Sequence, residues 1–218
     1  MIENKKINIV FMGPPGVGKG TVASVISKEN NIIHLSTGNI FREAIASKSE
    51  LGLKVAQIVE SGKYVPDEIT NEIVKNKLQE FTLQNKQVML DGYPRTIEQV
   101  YFLDKINDFN YVAVELYAPD ELILKRLSGR RQCPQCKSNF HIDFMPSKNG
   151  EFCDKCNAKL ITRKDDEVSA IKVRQEVYHK QTAPLLEYYK KEKRLISFDA
   201  SGKPEDIAKR IVKKVFKN

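Results

Sequence analysis

No stretch of the chain restricts its folding as much as Phe11-Met12-Gly13-Pro14-Pro15-Gly16-Val17-Gly18-Lys19-Gly20-Thr21. An apolar run at residues 7–12 precedes the glycines and an amphipathic helical pattern at 19–29 follows them, so they lie in a tight strand-to-helix loop. Successive backbone N–H groups in such a loop curl around an anion, and the dipole of the following helix adds partial positive charge at the same point. Lys19 supplies the point charge that reaches the β- and γ-phosphates of a nucleotide. A plain glycine turn has no need of a lysine in register with the helix start. In the common phosphate loop a Ser or Thr directly follows the lysine. Here Gly20 intervenes, and the hydroxyl that would meet a magnesium ion is displaced to Thr21.

The rest of the chain alternates in the same manner. Short apolar runs recur at residues 32–35, 88–90, 111–116 and 195–198, several of them β-branched, as strands covered on both faces should be. Helical patterns occupy 67–81, 97–106, 119–127 and 204–216, with Pro119 and Pro204 in first turns. A longer helix is predicted over 167–191, kinked at Pro184. The alternation predicts an α/β fold, a parallel sheet with crossover helices on its faces. Two regions interrupt it. One, about thirty residues after the second strand, carries two short helical patterns and Gly38, Gly52 and Gly62. The other, from Gly129 to about Asp166, loses its apolar period and holds all four cysteines. Both read as inserts on the core, at places where ligands bind such sheets.

Cys133-Pro134-Gln135-Cys136 and Cys153-Asp154-Lys155-Cys156 form two C-x-x-C knuckles separated by sixteen residues, within the spacing of a four-cysteine zinc site. Four thiolates around a tetrahedral ion leave no open position, so the ion is expected to be structural. Iron is the other metal that such thiolates accept. Disulfides are disfavoured in a reducing cytosol. A zinc ribbon that contacts nucleic acid would need an exposed basic face, yet the insert carries Asp143, Glu151, Asp154, Asp165 and Asp166. The metal is expected to stiffen a flap too poor in apolar residues to fold alone. The histidines, His34, His141 and His179, pair with no serine or cysteine nucleophile, and His141 reads as ordinary flap surface.

The 218 residues carry a net charge of +8, from 36 Lys+Arg against 28 Asp+Glu. Such a balance suits nucleic acid, a membrane surface or an anionic small ligand. Residues 190–218 hold ten basic and four acidic side chains, so +6 of the +8 lies at the carboxyl end, which includes the amphipathic last helix and reads as a solvated face. Aromatic residues are few and are not interleaved with basic ones, which argues against a stacking platform for bases. No run approaches the roughly 20 apolar residues of a membrane span. Residues 1–6 lead straight into the first strand pattern, without room for a signal peptide. A cytoplasmic protein with no nucleic-acid or membrane partner is expected.

Lys-Gly-Thr at the helix start is characteristic of nucleoside monophosphate kinases, and further motifs follow in order. Leu35-Ser36-Thr37-Gly38-Asn39 with Arg42 resembles the segment that opens their monophosphate-binding insert. Asp91-Gly92-Tyr93-Pro94-Arg95-Thr96, followed by Gln99, resembles the strand-end signature of adenylate kinases. Gly129-Arg130-Arg131 and Thr162-Arg163-Lys164-Asp165-Asp166 resemble the borders of their lid, and Gln181-Thr182-Ala183-Pro184-Leu185-Leu186 a stretch of the helix after it. The motifs cover nearly the whole chain, which resembles the long-form adenylate kinases with a zinc-binding lid. Two positions depart from the pattern. Asn39 stands where Asp is usual and is expected to keep helix-capping ability; Tyr93 stands where Phe is commoner.

The resemblance implies a P-loop five-stranded parallel sheet flanked by helices, built from residues 1–36, 66–128 and 167–218. It adds a small helical AMP-binding insert at 37–65 and a zinc-ribbon-like lid at 129–166. MgATP would be bound by Gly16, Val17, Gly18, Lys19, Gly20, Thr21, Arg126, Arg130, Asn139, Phe140 and Lys203. AMP would be bound by Thr37, Arg42, Lys63, Tyr64, Val65, Gly92, Arg95, Gln99, Arg163 and Arg174, with Gln99 making paired hydrogen bonds to the adenine edge. Lys19, Arg95, Arg130, Arg163 and Arg174 would neutralise the transferring phosphoryl group, and Asp91 would orient Mg²⁺ through water. Asp165 and Asp166 would pair with arginines as the lid closes. A monophosphate has a second pKa of about 6 and is already nucleophilic at neutral pH, which matches the lack of an evident catalytic base. A kinase for UMP or CMP is one alternative, and a zinc-containing regulatory ATPase or nucleic-acid binder another. Thr96 and Gln99 favour AMP, since pyrimidine-specific relatives usually place asparagines in this region. A monomer is the family default.

Overall fold

The computed structural model describes residues 6–216, so the outermost ends of the expected core segments, 1–5 and 217–218, lie outside the described residues. The apolar runs become strands β1 (Asn8–Met12), β2 (Ile33–Ser36), β3 (Val88–Asp91) and β4 (Tyr111–Tyr117). After a separate antiparallel ribbon of β5 (Arg130–Gln132) and β6 (Asn139–His141) comes β7 (Leu195–Asp199). The main sheet has five strands in the order β2-β3-β1-β4-β7, every neighbouring pair parallel. β1 is buried along its whole length, as a central strand covered on both faces must be.

Helices α1 (Lys19–Asn30), α6 (Asp120–Ser128) and α9 (Pro204–Phe216) cover one face of the sheet. There Ile9, Phe11, Val114 and Leu116 pack with Ile26, Leu127 and Ile211. The other face packs Val10, Met12, Leu90 and Ala113 against Val74 and Leu78 of α4 (Asp67–Leu83), Leu103 of α5 (Ile97–Asp104) and Tyr189 of α8 (Pro184–Lys191). Alternate residues of β1 thus serve opposite layers, the period-2 rule of a strand. Register sets the site: Phe11 pairs with Asp91 and Ser36 with Asp91, so the carboxyl ends of β1, β2 and β3 lie together. No helix among the described residues is long and apolar enough to cross a membrane.

The long helix expected over 167–191 is three pieces: α7 (Val168–Val177), a π-helical turn Tyr178–Thr182, and α8. The departure from α geometry falls before Pro184, which begins α8. A proline ring clashes with the carbonyl four residues back. The chain has already widened by then, and the Ala183 amide donates to Tyr178 O at 2.9 Å, five residues back. Pro119 is likewise the N-cap residue of α6, one position ahead of the expected first turn.

Arg194, just before β7, makes a bidentate pair with Asp104 at 2.8 and 2.9 Å, and the Tyr111 and Tyr188 hydroxyls donate to the same carboxylate at 2.6 and 3.0 Å. Burial works against the Asp104 charge, but the Arg194 and tyrosine hydrogen bonds outweigh it and hold its carboxyl below the ordinary range. The contact ties α5, β4 and α8 together across the edge of the sheet.

Between β2 and α4, helices α2 (Thr37–Ala46) and α3 (Glu50–Glu60) form the first insert, each capped by a serine, Ser36 and Ser49. Its own core is small, with Phe41, Val55 and Val65 buried. Gly52 makes the close helix crossing possible, since a Cβ there would lie 2.0 Å from the Ala44 carbonyl oxygen. Gly52→Ala should therefore lower stability by about 1–3 kcal/mol, the usual cost of overpacking. Thermal unfolding is the check, and an unchanged melting temperature would mean that the α2–α3 crossing is not tight.

Candidate active site

One cavity of about 670 Å³ opens at the carboxyl ends of the strands. Every residue expected to touch a nucleotide lines it, from the phosphate loop through Arg42, Arg95 and Gln99 to Asn139, Phe140, Arg163, Arg174 and Lys203. The phosphate loop enters α1 with Gly18 as N-cap, at φ 114°. Gly13 admits no side chain, since a Cβ would lie 2.2 Å from the Leu116 carbonyl oxygen on β4. The first amides of a helix lack intrahelical acceptors and point at whatever occupies the loop. Lys19 Nζ donates to the carbonyls of Gly13 at 2.6 Å and Pro14 at 3.0 Å. Arg126 clamps the loop from behind, donating to Val17 O at 2.8 Å and Ala200 O at 2.9 Å.

Guanidinium groups crowd the middle of the cavity. Arg130 donates to Asp166 through two nitrogens, Nε at 2.6 Å and Nη2 closer still, while Arg174 meets Asp166 at 2.7 Å and Asp165 at 3.2 Å. Arg42 lies 3.8 Å from Asp165, and its Nε is buried without a hydrogen-bond partner among the described residues. Arg163 donates to Gln132 and Asn139. Burial lowers Arg42 to about 10 against the pull of Asp165, and burial with the facing Arg130 and Arg42 drives Arg163 well below its ordinary value. Burial also opposes the Arg130 charge, but Asp166 overrides it and raises that group. The cluster is short of negative charge. Such a cluster can hold an anion.

Asp91 projects from the end of β3. A Cβ on Gly20 would fall 3.1 Å from its Oδ2, so the carboxylate lies directly against the phosphate loop, and His34 Nε2 is 3.2 Å from the same oxygen. Burial disfavours its charge, yet the His34 hydrogen bond, Lys19 and Arg95 together hold the carboxyl well below the usual range. An ionised oxygen donor beside a phosphate cradle fits the hard Mg²⁺ ion that accompanies ATP. In the sequence His34 is only one of three scattered histidines, and the pairing of β2 with β3 is what discloses its contact with Asp91.

On the far side, Arg95 Nε donates to Gly92 O at 2.7 Å, Thr37 Oγ1 to the same oxygen at 2.9 Å, and the Arg95 guanidinium lies 4.7 Å from the centre of the Tyr64 ring. Thr182, in the π-helical turn, donates to Arg95 O at 2.9 Å and so accepts from the Tyr64 hydroxyl at 2.8 Å. The wide turn thus fastens Arg95, a contact that the sequence pattern did not disclose. The expected capping role of Asn39 is taken by Ser36, whose side chain accepts from Asn39 N; Asn39 Oδ1 instead accepts from Arg42 Nη2 at 2.8 Å. The added hydroxyl of Tyr93 donates to Asn71 Oδ1 at 2.6 Å. Both ends of the Gln99 amide already have protein partners, Arg95 N at 2.7 Å and Asp67 Oδ1 at 2.7 Å, leaving one lone pair and one N–H.

The four cysteine sulfurs lie within 4.8 Å of one another, with Cys133 3.3 Å from Cys156 and Cys136 3.4 Å from Cys153. Those separations are far beyond a disulfide bond. The amides of Cys136 and Lys155 point at the sulfurs of Cys133 and Cys153. A thiolate set so arranged suits a tetrahedral ion. His141 is not flap surface as expected. It is buried, close to Lys125 O at 3.1 Å, and its Nδ1 accepts from the amides of Asp143 and Phe144.

A phosphate loop facing an arginine cluster across one cavity, beneath a helical insert and a cysteine-bearing insert, defines a phosphotransferase of the nucleoside monophosphate kinase class. The family described as Adenylate kinase matches residues 11–194, and the chain belongs to that family. A protein from Mycoplasmopsis pulmonis named "Adenylate kinase" is 52% identical over 208 residues, covering 95% of this chain and 97% of its own. One of the same name from Mycoplasma mobile is 47% identical over 212 residues, 96% and 98% of the two chains. One from Clostridium tetani is 42% identical over 209 residues, 94% and 96%.

Burial pulls the Lys19 ammonium from its ordinary value to about 8, with Arg95, Arg174 and Arg130 adding to the depression and Asp91 opposing it. Only the charged form attracts phosphate. The value of kcat/KM for MgATP, which reports the free enzyme, should therefore fall as pH rises through about 8. Lys19→Met should remove that descent and lower kcat by about a thousandfold or more. A folded Lys19→Met protein with near-native kcat would overturn the role of Lys19.

Proposed function

We propose that the chain catalyses reversible transfer of the γ-phosphoryl group of MgATP to AMP, giving two ADP and balancing the adenine nucleotide pool. One observation carries this reading: a single cavity holds a phosphate loop with Lys19 at one end and Arg42, Arg95 and Gln99 at the other. One end suits a polyphosphate, the other a monophosphate and its base.

The acceptor phosphate is largely dianionic at neutral pH and attacks without a general base. What the chain supplies is alignment, charge neutralisation and exclusion of water. The loop amides of residues 16–21 and Lys19 hold the β- and γ-phosphates. Arg42 and Arg95 hold the acceptor phosphate in planar, bidentate fashion, and the buried Arg42 Nε, without a partner among the described residues, is a donor free to meet it. Arg130, Arg163 and Arg174 gather over the transferring group, kept in place by Asp165 and Asp166. Arg126, Asn139, Phe140 and Lys203 flank the ATP nucleoside, while Thr37, Lys63, Tyr64, Val65 and Gly92 wall the AMP side. Asp91 would hold the magnesium ion of MgATP through its water shell. When bound, that ion neutralises charge on the phosphates.

Residues 37–65 and 129–166 act as two lids on a core of 1–36, 66–128 and 167–218, and their closure keeps water from competing with AMP. Cys133, Cys136, Cys153 and Cys156 would hold a structural zinc ion, with iron as the other occupant that thiolates allow. The protein works as a cytoplasmic monomer on ATP and AMP, without nucleic-acid or membrane partners.

A coupled assay with MgATP and AMP, CMP, UMP or GMP in turn tests the acceptor. AMP should lead by at least about tenfold in kcat/KM, about 1.4 kcal/mol of transition-state binding; comparable efficiency with UMP or CMP would sink the assignment. Elemental analysis should find one tightly bound zinc per chain. Stripping it should lower the unfolding temperature of the lid first, because metal binding supplies folding free energy there. Below that temperature the stripped enzyme should keep substantial turnover, and complete loss with the lid still folded would make the metal catalytic.

A further inference from the structure

Gln99 is the side chain offered to the acceptor base, and a primary amide is an ambiguous reader. Turned over about its last bond, it exchanges donor and acceptor. Adenine presents a donor, its 6-amino group, beside an acceptor, N1. Hypoxanthine presents an acceptor, O6, beside a donor, N1–H. An amide free to turn over pairs with either.

Gln99 is not free. Its Oε1 accepts the backbone N–H of Arg95 at 2.7 Å, and its Nε2 donates to Asp67 Oδ1 at 2.7 Å. A backbone N–H can only donate and a carboxylate can only accept, so the identity of the two ends follows from their partners. The reversed amide would set N–H against N–H and carbonyl oxygen against carboxylate. Gln99 is 1% exposed, so water cannot relieve that mismatch. Asp67 is itself held, because its Oδ2 accepts from the Thr96 hydroxyl at 2.7 Å, and Thr96 Oγ1 in turn takes the Gln99 backbone N–H at 3.2 Å. One donor and one acceptor remain on the amide, and the residue lines the cavity.

We propose that Asp67 is the positioning residue for base selection: it locks the Gln99 amide in one orientation, so that the site accepts a 6-aminopurine monophosphate and rejects its 6-oxo counterpart. The inference rests on AMP as the acceptor, as proposed above. Thr96 then acts through Asp67, by holding the second carboxylate oxygen. Arg95 joins both tasks, since its side chain serves the acceptor phosphate and its backbone N–H pins the reader of the base.

The test compares kcat/KM for AMP and for IMP, which differ at this one edge, in the native enzyme and in Asp67→Asn. The substituted amide can present either end to Gln99, so one of the two points of the lock is released while the volume is kept, and the Arg95 N–H alone still favours the native orientation. The IMP-to-AMP ratio should rise at least about tenfold, with KM for MgATP unchanged. A merely structural role would lower both acceptors alike, and an unmoved ratio in the folded variant overturns the proposal. Thr96→Val, which frees Asp67 Oδ2 and lets the carboxylate turn away from Gln99, should shift the ratio in the same direction by a smaller factor and serves if Asp67→Asn does not fold. A native enzyme with no preference for AMP over CMP or UMP would overturn the acceptor assignment and this inference with it. A native preference for AMP with an unmoved ratio in the variants overturns the inference alone.

Discussion

Arg42, Arg130, Arg163 and Arg174 are all half-buried near one another, and the crowding is tolerable because the buried Asp165 and Asp166 lie among them. Two like charges about 4 Å apart repel by about 4 kcal/mol at the effective dielectric of a protein surface. An unpaired buried ion costs several kcal/mol more. A domain has about 5–15 kcal/mol of stability in total, so the cluster could not exist without its carboxylates. Asp166, with its side chain wholly buried, takes hydrogen bonds from Arg130 and Arg174 at once. Because the cations still outnumber the acids, the remaining positive charge is directed into the cavity. The arginines are stable enough to persist and unsatisfied enough to bind.

The two inserts solve the problem of folding with little apolar material in different ways. The α2–α3 pair relies on serine caps, a glycine crossing and three buried hydrophobic side chains. The cysteine-bearing insert buries little beyond Cys133, Phe140 and Cys153, and its sulfurs stand where a core would otherwise be. Both have small cores of their own, and segments with few buried apolar contacts are the ones that open most readily.

Most of the core was legible because buried parallel strands and amphipathic helices write their periods locally. All five apolar runs became strands of the main sheet, and the helix over 204–216 has the expected limits. The residues that motif order singled out for nucleotide converge on one cavity. What was hidden depends on partners distant in the sequence. His34 meets Asp91, Thr182 reaches Arg95, and Arg194 reaches Asp104 only once the strands are paired. The π-helical turn was hidden for another reason: a proline announces trouble in a helix, but not the geometry by which the chain relieves it.

The strand order has a consequence for how the molecule comes into being. β1 is made first and ends in the middle of the sheet, yet its neighbours β3 and β4 are drawn from residues 88–117. During synthesis the phosphate loop emerges long before the strands that shape it, and its apolar flanks stay uncovered until half the chain is out. Parallel pairings over such separations form slowly, because the loop-closure entropy is spent before the contacts return it. Nucleotide therefore cannot template the early steps. The nascent chain must avoid wrong edge pairings unaided, or with a chaperone, until β4 closes the centre of the sheet.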